Sequence, residues 1–332
     1  MSDKPKFTEN VLRAISDCEM LRAGDAVVVA LSGGADSVSL LHALYSLRDE
    51  LGITLSACHV NHCLRGEESD RDMQFCREMC GRLGVELKIL TVEVASQVQK
   101  HESLEECARR IRYAFFDEVS QGKKLATAHN CSDCAETVIL NMLRGTGLKG
   151  LCGIPPVRGN IIRPLIYCTR AEVEQYCAEN GLQYVTDSTN LSCDYTRNKV
   201  RRLILPQMLE INGSLFGTMS RMEKSLREDS ELLESMADSA LNDAKKDNGW
   251  AVKKLAALPK PIRARAVKRI LSANGIEPSA LRINTTLEII ENGKGKFNPC
   301  RNKFVKTRRG ILYVEYSEQH YKKHEGPHPE NG

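Results

Sequence analysis

The sequence predicts an α/β protein: a parallel β-sheet with helices on both faces, then a helical linker and a small basic α+β domain. Three observations carry that prediction. Short Val-, Ile- and Leu-rich runs alternate with longer helix-like patterns over roughly the first 144 residues, as strand–helix units feeding one parallel sheet do. The length, 332 residues, is more than one core normally organises. Charge also separates along the chain. From position 216 onward there are 22 Lys+Arg against 15 Asp+Glu, and within 253–309 there are 15 against 3. We therefore expect a first domain over 1–215, a helical linker over 216–248, a basic domain over 249–316 and a disordered tail over 317–332.

Residues 8–22 have the spacing of a short amphipathic helix. The run AVVVAL at 26–31 reads as a buried strand, and 37–47 as the helix that follows it. The same pairing recurs at 54–60 and 68–83. Residues 86–92 then read as a strand, 104–119 as a helix, 124–128 as a strand and 134–144 as a helix. The stretch 145–164 is rich in Gly and Pro and reads as a loop. Residues 170–180 form a helix closed by Gly181, and 198–209 another. A long charged helical pattern covers 215–243. The second domain, about 250–316, reads as helices followed by strands around 303–314.

Composition excludes several classes. The chain is 42% apolar and 27% charged, as soluble globular proteins are. No run approaches ~18 consecutive apolar residues, so no membrane span is expected. MSDKPKFTEN lacks the apolar core of a signal peptide. The 13 cysteines are odd in number and scattered, which reads as a reducing cytoplasm. The basic excess at 253–309 fits either a solvated face or a surface for a polyanion, of which nucleic acid is the commonest.

Between the first strand and its helix stands Ser32-Gly33-Gly34-Ala35-Asp36-Ser37. Two glycines permit close backbone approach, and a helix N-terminus offers unpaired N–H groups, so this is an anion cradle suited to phosphate. A bare carboxylate would repel phosphate; Asp36 therefore implies Mg²⁺ between them, or else merely caps the helix. The spacing matches neither a Walker loop nor G-x-G-x-x-G. Further along, Asp133 and Glu136 lie three apart on one helix face, able to bind an amine or a metal, or simply to meet the helix dipole.

SGGADS after VVVAL resembles the PP-loop of the N-type ATP pyrophosphatases, an adenine nucleotide alpha hydrolase-like fold. HVNHCLRGEESDRD (59–72), ARRIRYAFF (108–116), TAHNCSDCAET (127–137), RGTGLKGLCGI (144–154), IIRPLI (161–166) and DSTNLSCDYTRNKVRRLILP (187–206) resemble successive blocks of the tRNA(Ile)-lysidine synthetase family, in its order and spacing. The basic second domain is similar to that family's small C-terminal tRNA-binding domain, in the shorter version of the family. The resemblance implies a bacterial cytoplasmic enzyme using ATP and Mg²⁺. ATP adenylates the C2 oxygen of the wobble cytidine of an isoleucine tRNA with a CAU anticodon. The side-chain amine of free lysine then displaces AMP to give lysidine.

The resemblance also implies site residues. Ser32, Gly33, Gly34, Ala35 and Ser37 would hold the phosphates, with Asp36 on Mg²⁺. His59 and Asn61 would lie beside the nucleotide. Arg112 would stabilise charge on the α-phosphate or the base oxygen. Asp133 and Glu136 would bind lysine or help place the metal. Arg163, Arg197 and Arg201 would face substrate phosphate or RNA, as would Lys303 and Arg308; Asp187, Asn190 and Asn198 continue the pattern. The chain departs from the family's A-H-H-x-D-D-Q-A-E-T at Asn130, Ser132 and Cys134. Those changes create Cys131-x-x-Cys134, which keeps open an iron–sulfur-dependent tRNA thiolase that also adenylates a cytidine C2 oxygen. A non-catalytic nucleotide-binding module is a further alternative. No protein partner is implied, and a homodimer is open.

Overall fold

The computed structural model describes residues 5–185 and 195–316. Its contacts group into two units, divided at Leu226/Arg227. In the first, β1 (Ala26–Ala30), β2 (Thr54–Asn61), β3 (Glu86–Thr91) and β4 (Lys124–Ala126) run parallel. β6 (Ile161–Ile162) continues the parallel set beyond β4, and β5 (Val157–Arg158) closes the edge antiparallel to it, giving the order β3-β2-β1-β4-β6-β5.

The Val run of β1 shows why the sheet is covered twice. Successive side chains point to opposite faces. Val27 and Val29 therefore enter the core shared with α1 (Lys6–Asp17), α2 (Ala35–Leu51), α3 (Glu67–Leu83) and α7 (Arg170–Glu179). Val28 enters the other core, with Phe116 and Val119 of α4 (Leu104–Val119). Helix α2 buries Leu40, Leu41 and Leu44 completely. Each such side chain contributes about 1.5–3 kcal/mol, enough to fix where the N-terminus of α2 points. α5 (Cys131–Leu143) packs Val138 and Ile139 with Leu205 of α9 (Leu205–Ile211) and with Leu215 and Met219 of α10 (Leu215–Ala244).

Strand order decides where a site can form. After β1 the chain turns toward β2; after β4 it turns toward β6 on the opposite side. The carboxyl ends of β1 and β4 therefore open a crevice at a topological switch point. The loops emerging there carry Ser32–Ser37 and Asn130–Glu136.

Two stretches differ from the sequence expectation. Residues 145–164, expected as a loop, contain a single helical turn, α6 (Leu148–Leu151), and the β5–β6 hairpin. Strands of two residues carry no periodicity to read. The helix expected at 198–209 is α8 (Tyr195–Lys199), a π-helical turn over Val200–Ile204, and α9. The π register shows in the Leu205 N–H, which reaches back five residues to the Val200 carbonyl.

The second unit is an antiparallel sheet of order β7-β8-β11-β10-β9. Its strands are β7 (Lys245–Lys246), β8 (Gly249–Ala251), β9 (Lys296–Cys300), β10 (Lys303–Arg308) and β11 (Ile311–Tyr316). α11 (Val252–Ala256), α12 (Lys260–Ala273) and α13 (Ala280–Asn292) share one core with it around Leu255, Val267, Ile270, Val305 and Leu312. The stretch expected as a linker is mostly α10, whose early residues Leu215 and Met219 join a first-unit core and whose Ala244 joins the second-unit core. Asp187, Asn190 and the tail at 317–332 lie outside the described residues.

Candidate active site at the switch point of the sheet

The Ser32–Ser37 loop is braced from within. Gly33 takes φ +91°, a conformation L side chains rarely adopt. Ser37 Oγ accepts from the Ser32 N–H at 3.1 Å and donates to the Gly34 carbonyl at 3.0 Å. The Gly33 carbonyl accepts from the Val185 N–H at 2.9 Å. Helix α2 starts at Gly34 with no side-chain cap. By contrast, α4, α5 and α7 each carry a full capping box. The first-turn N–H groups of α2 are thus left for an anion.

Asp36, in that first turn, joins the two loops. Asn130 donates its Nδ2 to Asp36 Oδ1 at 2.9 Å, while Asn130 Oδ1 caps α5 by accepting from the Ser132 and Asp133 N–H groups. Arg170, at the start of α7, pairs with Asp36 Oδ2 and with Glu174. Burial raises the Asp36 carboxyl above its ordinary value, Arg170 opposes that, and the neighbouring Asp133 carboxylate adds to it.

Beyond Asp133 lies a quartet. Glu136 has no exposed side-chain surface, and Arg197 donates Nε to it at 2.7 Å. Arg201 donates Nε to Glu136 Oε1 at 2.5 Å and Nη2 to Oε2 at 3.2 Å. Both arginines also reach Asp133 Oδ1, at 3.3 and 3.2 Å. A buried carboxylate requires such pairing, because desolvation otherwise costs several kcal/mol. The arginines expected to face phosphate or RNA thus neutralise the carboxylates expected to hold an amine.

Two connected lobes meet at Ser32, Gly34, Asp36, Arg65 and Asp72. The first, about 670 Å³, is walled by Ser37, His59, Asn61, Arg112, Tyr113, His129 and Asp133. The second, about 620 Å³, is lined by Ala35, Asn130, Glu136, Arg170, Arg201 and Phe216. In the first lobe His59 donates Nδ1–H to the Leu31 carbonyl at 2.8 Å, and burial lowers its pKa. Its ring is therefore neutral, with Nε2 unprotonated. His62 and His129 are pushed down to about 4, chiefly by burial, with Arg112 among the nearby cations. Asn61 is committed to its own turn, accepting from the Cys63 N–H at 2.9 Å and donating to Asp70 at 3.0 Å. Arg112 has no hydrogen bond or ion pair to any described residue, so its guanidinium is available to an anion in the cleft.

Other expected residues sit elsewhere. Arg163 is buried and lines neither lobe, donating to the Pro155 carbonyl at 2.6 Å. Lys303 donates to the Asn274 and Gly275 carbonyls at 2.7 and 2.9 Å, closing the C-terminus of α12. Arg308 and Arg309 are exposed at the β10–β11 turn. Cys131 and Cys134 are buried thiols, Cys131 pushed up to about 12 by burial and Cys134 higher still. Among the described residues, no three His, Cys, Asp or Glu side chains are grouped to hold a metal ion. One carboxylate beside a phosphate cradle is nonetheless the usual protein share of a Mg²⁺ site, the phosphates supplying the rest.

Sequence reasoning missed Asn130 and Arg170. Asn130 was legible as the cap of an N-x-x-D box before an apolar run. Arg170 lies 134 positions from Asp36, with no local signal.

Residues 4–208 match the model of the PP-loop domain family. The chain is similar to the tRNA(Ile)-lysidine synthase of Clostridium acetobutylicum, 40% identical over 236 residues, covering 69% of this chain and 51% of that protein. It is also similar to the tRNA(Ile)-lysidine synthase of Clostridium tetani, 33% identical over 321 residues, covering 93% of this chain and 69% of that protein. This chain belongs to the tRNA(Ile)-lysidine synthase family of PP-loop proteins. It spans about half the length of most of the curated relatives it matches. Among solved structures, the U34-tRNA thiolase NcsA of Methanococcus maripaludis, determined with its [4Fe-4S] cluster, aligns with TM-score 0.57 and 22% identity. The alignment covers 66% of this chain and 78% of that one, a likeness of fold.

Proposed function

We propose that this chain is an ATP-dependent tRNA(Ile)-lysidine synthetase. ATP adenylates the C2 oxygen of the wobble cytidine in a CAU anticodon, releasing pyrophosphate. The side-chain amine of lysine then attacks C2 and expels AMP. The observation that carries the reading is the contact chain from the phosphate cradle through Asp36 and Asn130 to Asp133 and Glu136. It brings a candidate anion site and a carboxylate pair into one crevice, which supports a reaction between an adenylate and an ammonium-bearing nucleophile. The relatives' name supports the choice of substrate.

The α2 N-terminus would bind the phosphates, and Arg112 would bear on negative charge at the α-phosphate or base oxygen. Asp36 would hold Mg²⁺, which when bound neutralises phosphate charge. The neutral His129, within hydrogen-bond reach of Thr127 at 3.1 Å, lines the same lobe and keeps that wall uncharged. RNA would be met by cations of the second unit. Arg308 and Arg309 are its exposed candidates, whereas Lys303 is committed to α12.

The deciding experiment is nucleoside mass spectrometry of a CAU-anticodon isoleucine tRNA transcript incubated with protein, Mg²⁺, ATP and lysine. A lysine adduct on the wobble cytidine that needs both small molecules is the expected result. ATP cleaved to AMP without an adduct would move the substrate question to the thiolase alternative, and no ATP cleavage to a nucleotide-binding module.

A further inference from the structure

Asp36, Asp133 and Glu136, which line the two lobes, each already have a guanidinium. Asp36 holds Arg170; Asp133 and Glu136 hold Arg197 and Arg201. Two carboxylates against two guanidiniums leave the quartet electrically neutral. An entering ammonium would give three cations on two carboxylates in a partly desolvated crevice, where like charges repel strongly. Entry therefore requires one guanidinium to leave, and a leaving guanidinium needs an anion to receive it.

Arg201 is the group placed to leave. It is the more exposed of the pair, 46% against 39% for Arg197. It lines the second lobe together with Ala35, Asp36 and Asn130, so the uncapped start of α2 opens into the same space. It also stands on the π-helical turn Val200–Ile204. Such turns have a looser hydrogen-bond register and recur at functional sites. Arg197, on α8, keeps a bond to Glu136 and so prevents a bare buried carboxylate during the exchange.

We propose that Arg201 is an exchangeable counter-ion. It holds Asp133 and Glu136 while the amine site is empty and yields to a ligand ammonium only when a phosphate is present to receive it. The proposal rests on the amine-site reading above and adds coupling: an amine and a phosphate ligand bind with positive cooperativity, the phosphate first. The phosphate can come from the nucleotide or from RNA.

The test is calorimetric titration of lysine into the full chain under three conditions: alone, with Mg²⁺ and α,β-methylene-ATP, and with the CAU transcript. Lysine affinity is expected to rise at least about tenfold in one of the two phosphate arms, within the usual range of coupling between sites. Whichever arm shows the rise identifies the source of the phosphate. Arg201→Gln should bind lysine with one affinity in all three arms, tighter than wild type alone. Arg201→Lys, which keeps a displaceable cation, should retain the coupling and guards against a folding artefact in the first variant. Equal lysine binding by wild type in all arms would overturn the exchange while leaving the amine site standing; lysine's own carboxylate would then suffice as receiver. Lysine binding in no arm, for wild type and both variants, would overturn the amine site as well.

Discussion

Replacing Glu136 by Gln should destabilise the first unit, even though Glu136 sits in a crevice where an activity is proposed. The direction is informative. A carboxylate kept buried and unpaired for chemistry would stabilise the fold when removed. Glu136 is instead fully buried and accepts three hydrogen bonds from two guanidiniums, at 2.5, 2.7 and 3.2 Å. Breaking a fully buried pair by removing one partner costs about 3–5 kcal/mol. Arg197 and Arg201 are 39% and 46% exposed, so water and Asp133 recover part of that. The Gln carbonyl recovers another part, which brings the expected loss to about 1–3 kcal/mol. For a unit of 226 residues, that is a fall in Tm of about 2–12 °C. Differential scanning calorimetry of wild type and variant in the same buffer measures it. An unchanged or raised Tm would refute the reasoning, because the quartet would then not be a paired network in solution.

Further predictions follow from other parts of the molecule. Gly33→Ala should cost about 1–2 kcal/mol, the price of a left-handed residue. The cost is conformational, since a Cβ there would meet Val185, Cys76 and Phe75 only at 3.5–3.6 Å. Gly34→Ala, at φ −72° with its nearest neighbour at 3.7 Å, should leave the melting temperature unchanged. His62 and His129 titrate near 4 in the fold against about 6.5 in the unfolded chain, so the unfolded state gains protons first as pH falls. Stability should therefore be level in their contribution above pH 6.5 and fall between 6.5 and 4; melts across that window should show a shallower slope for His129→Gln. Asp36→Ala should abolish RNA-dependent pyrophosphate release while the circular dichroism spectrum is kept, and full release would remove the loop's assigned role. Arg308→Gln with Arg309→Gln should weaken tRNA binding and lower the salt slope by about 2. Lys303→Gln should instead lower thermal stability by freeing the carbonyls that end α12; equal loss of RNA affinity in both would place the RNA elsewhere.

The sequence by itself determined the doubly covered parallel sheet, because the Val27–Val28–Val29 run is apolar on both faces and such a strand must be buried on both. It determined the glycine turn before an uncapped helix as well, since Gly33, Gly34 and a following helix start are local features with local causes. It placed Asp133 and Glu136 on one face because three-residue spacing fixes that on any helix. What these carboxylates face was decided only by tertiary structure. Arg197 and Arg201 lie 61 and 65 positions from Glu136, and Arg170 lies 134 from Asp36. Strand order brought the β1 and β4 loops together, and the packing of α5 against α9 and α10 brought the arginines to the carboxylates. The reason is that hydrogen-bond propensity and periodicity act over a few residues. A buried charge, in contrast, accepts any cation the fold delivers, from any distance along the chain, and sequence spacing carries no record of which one arrives.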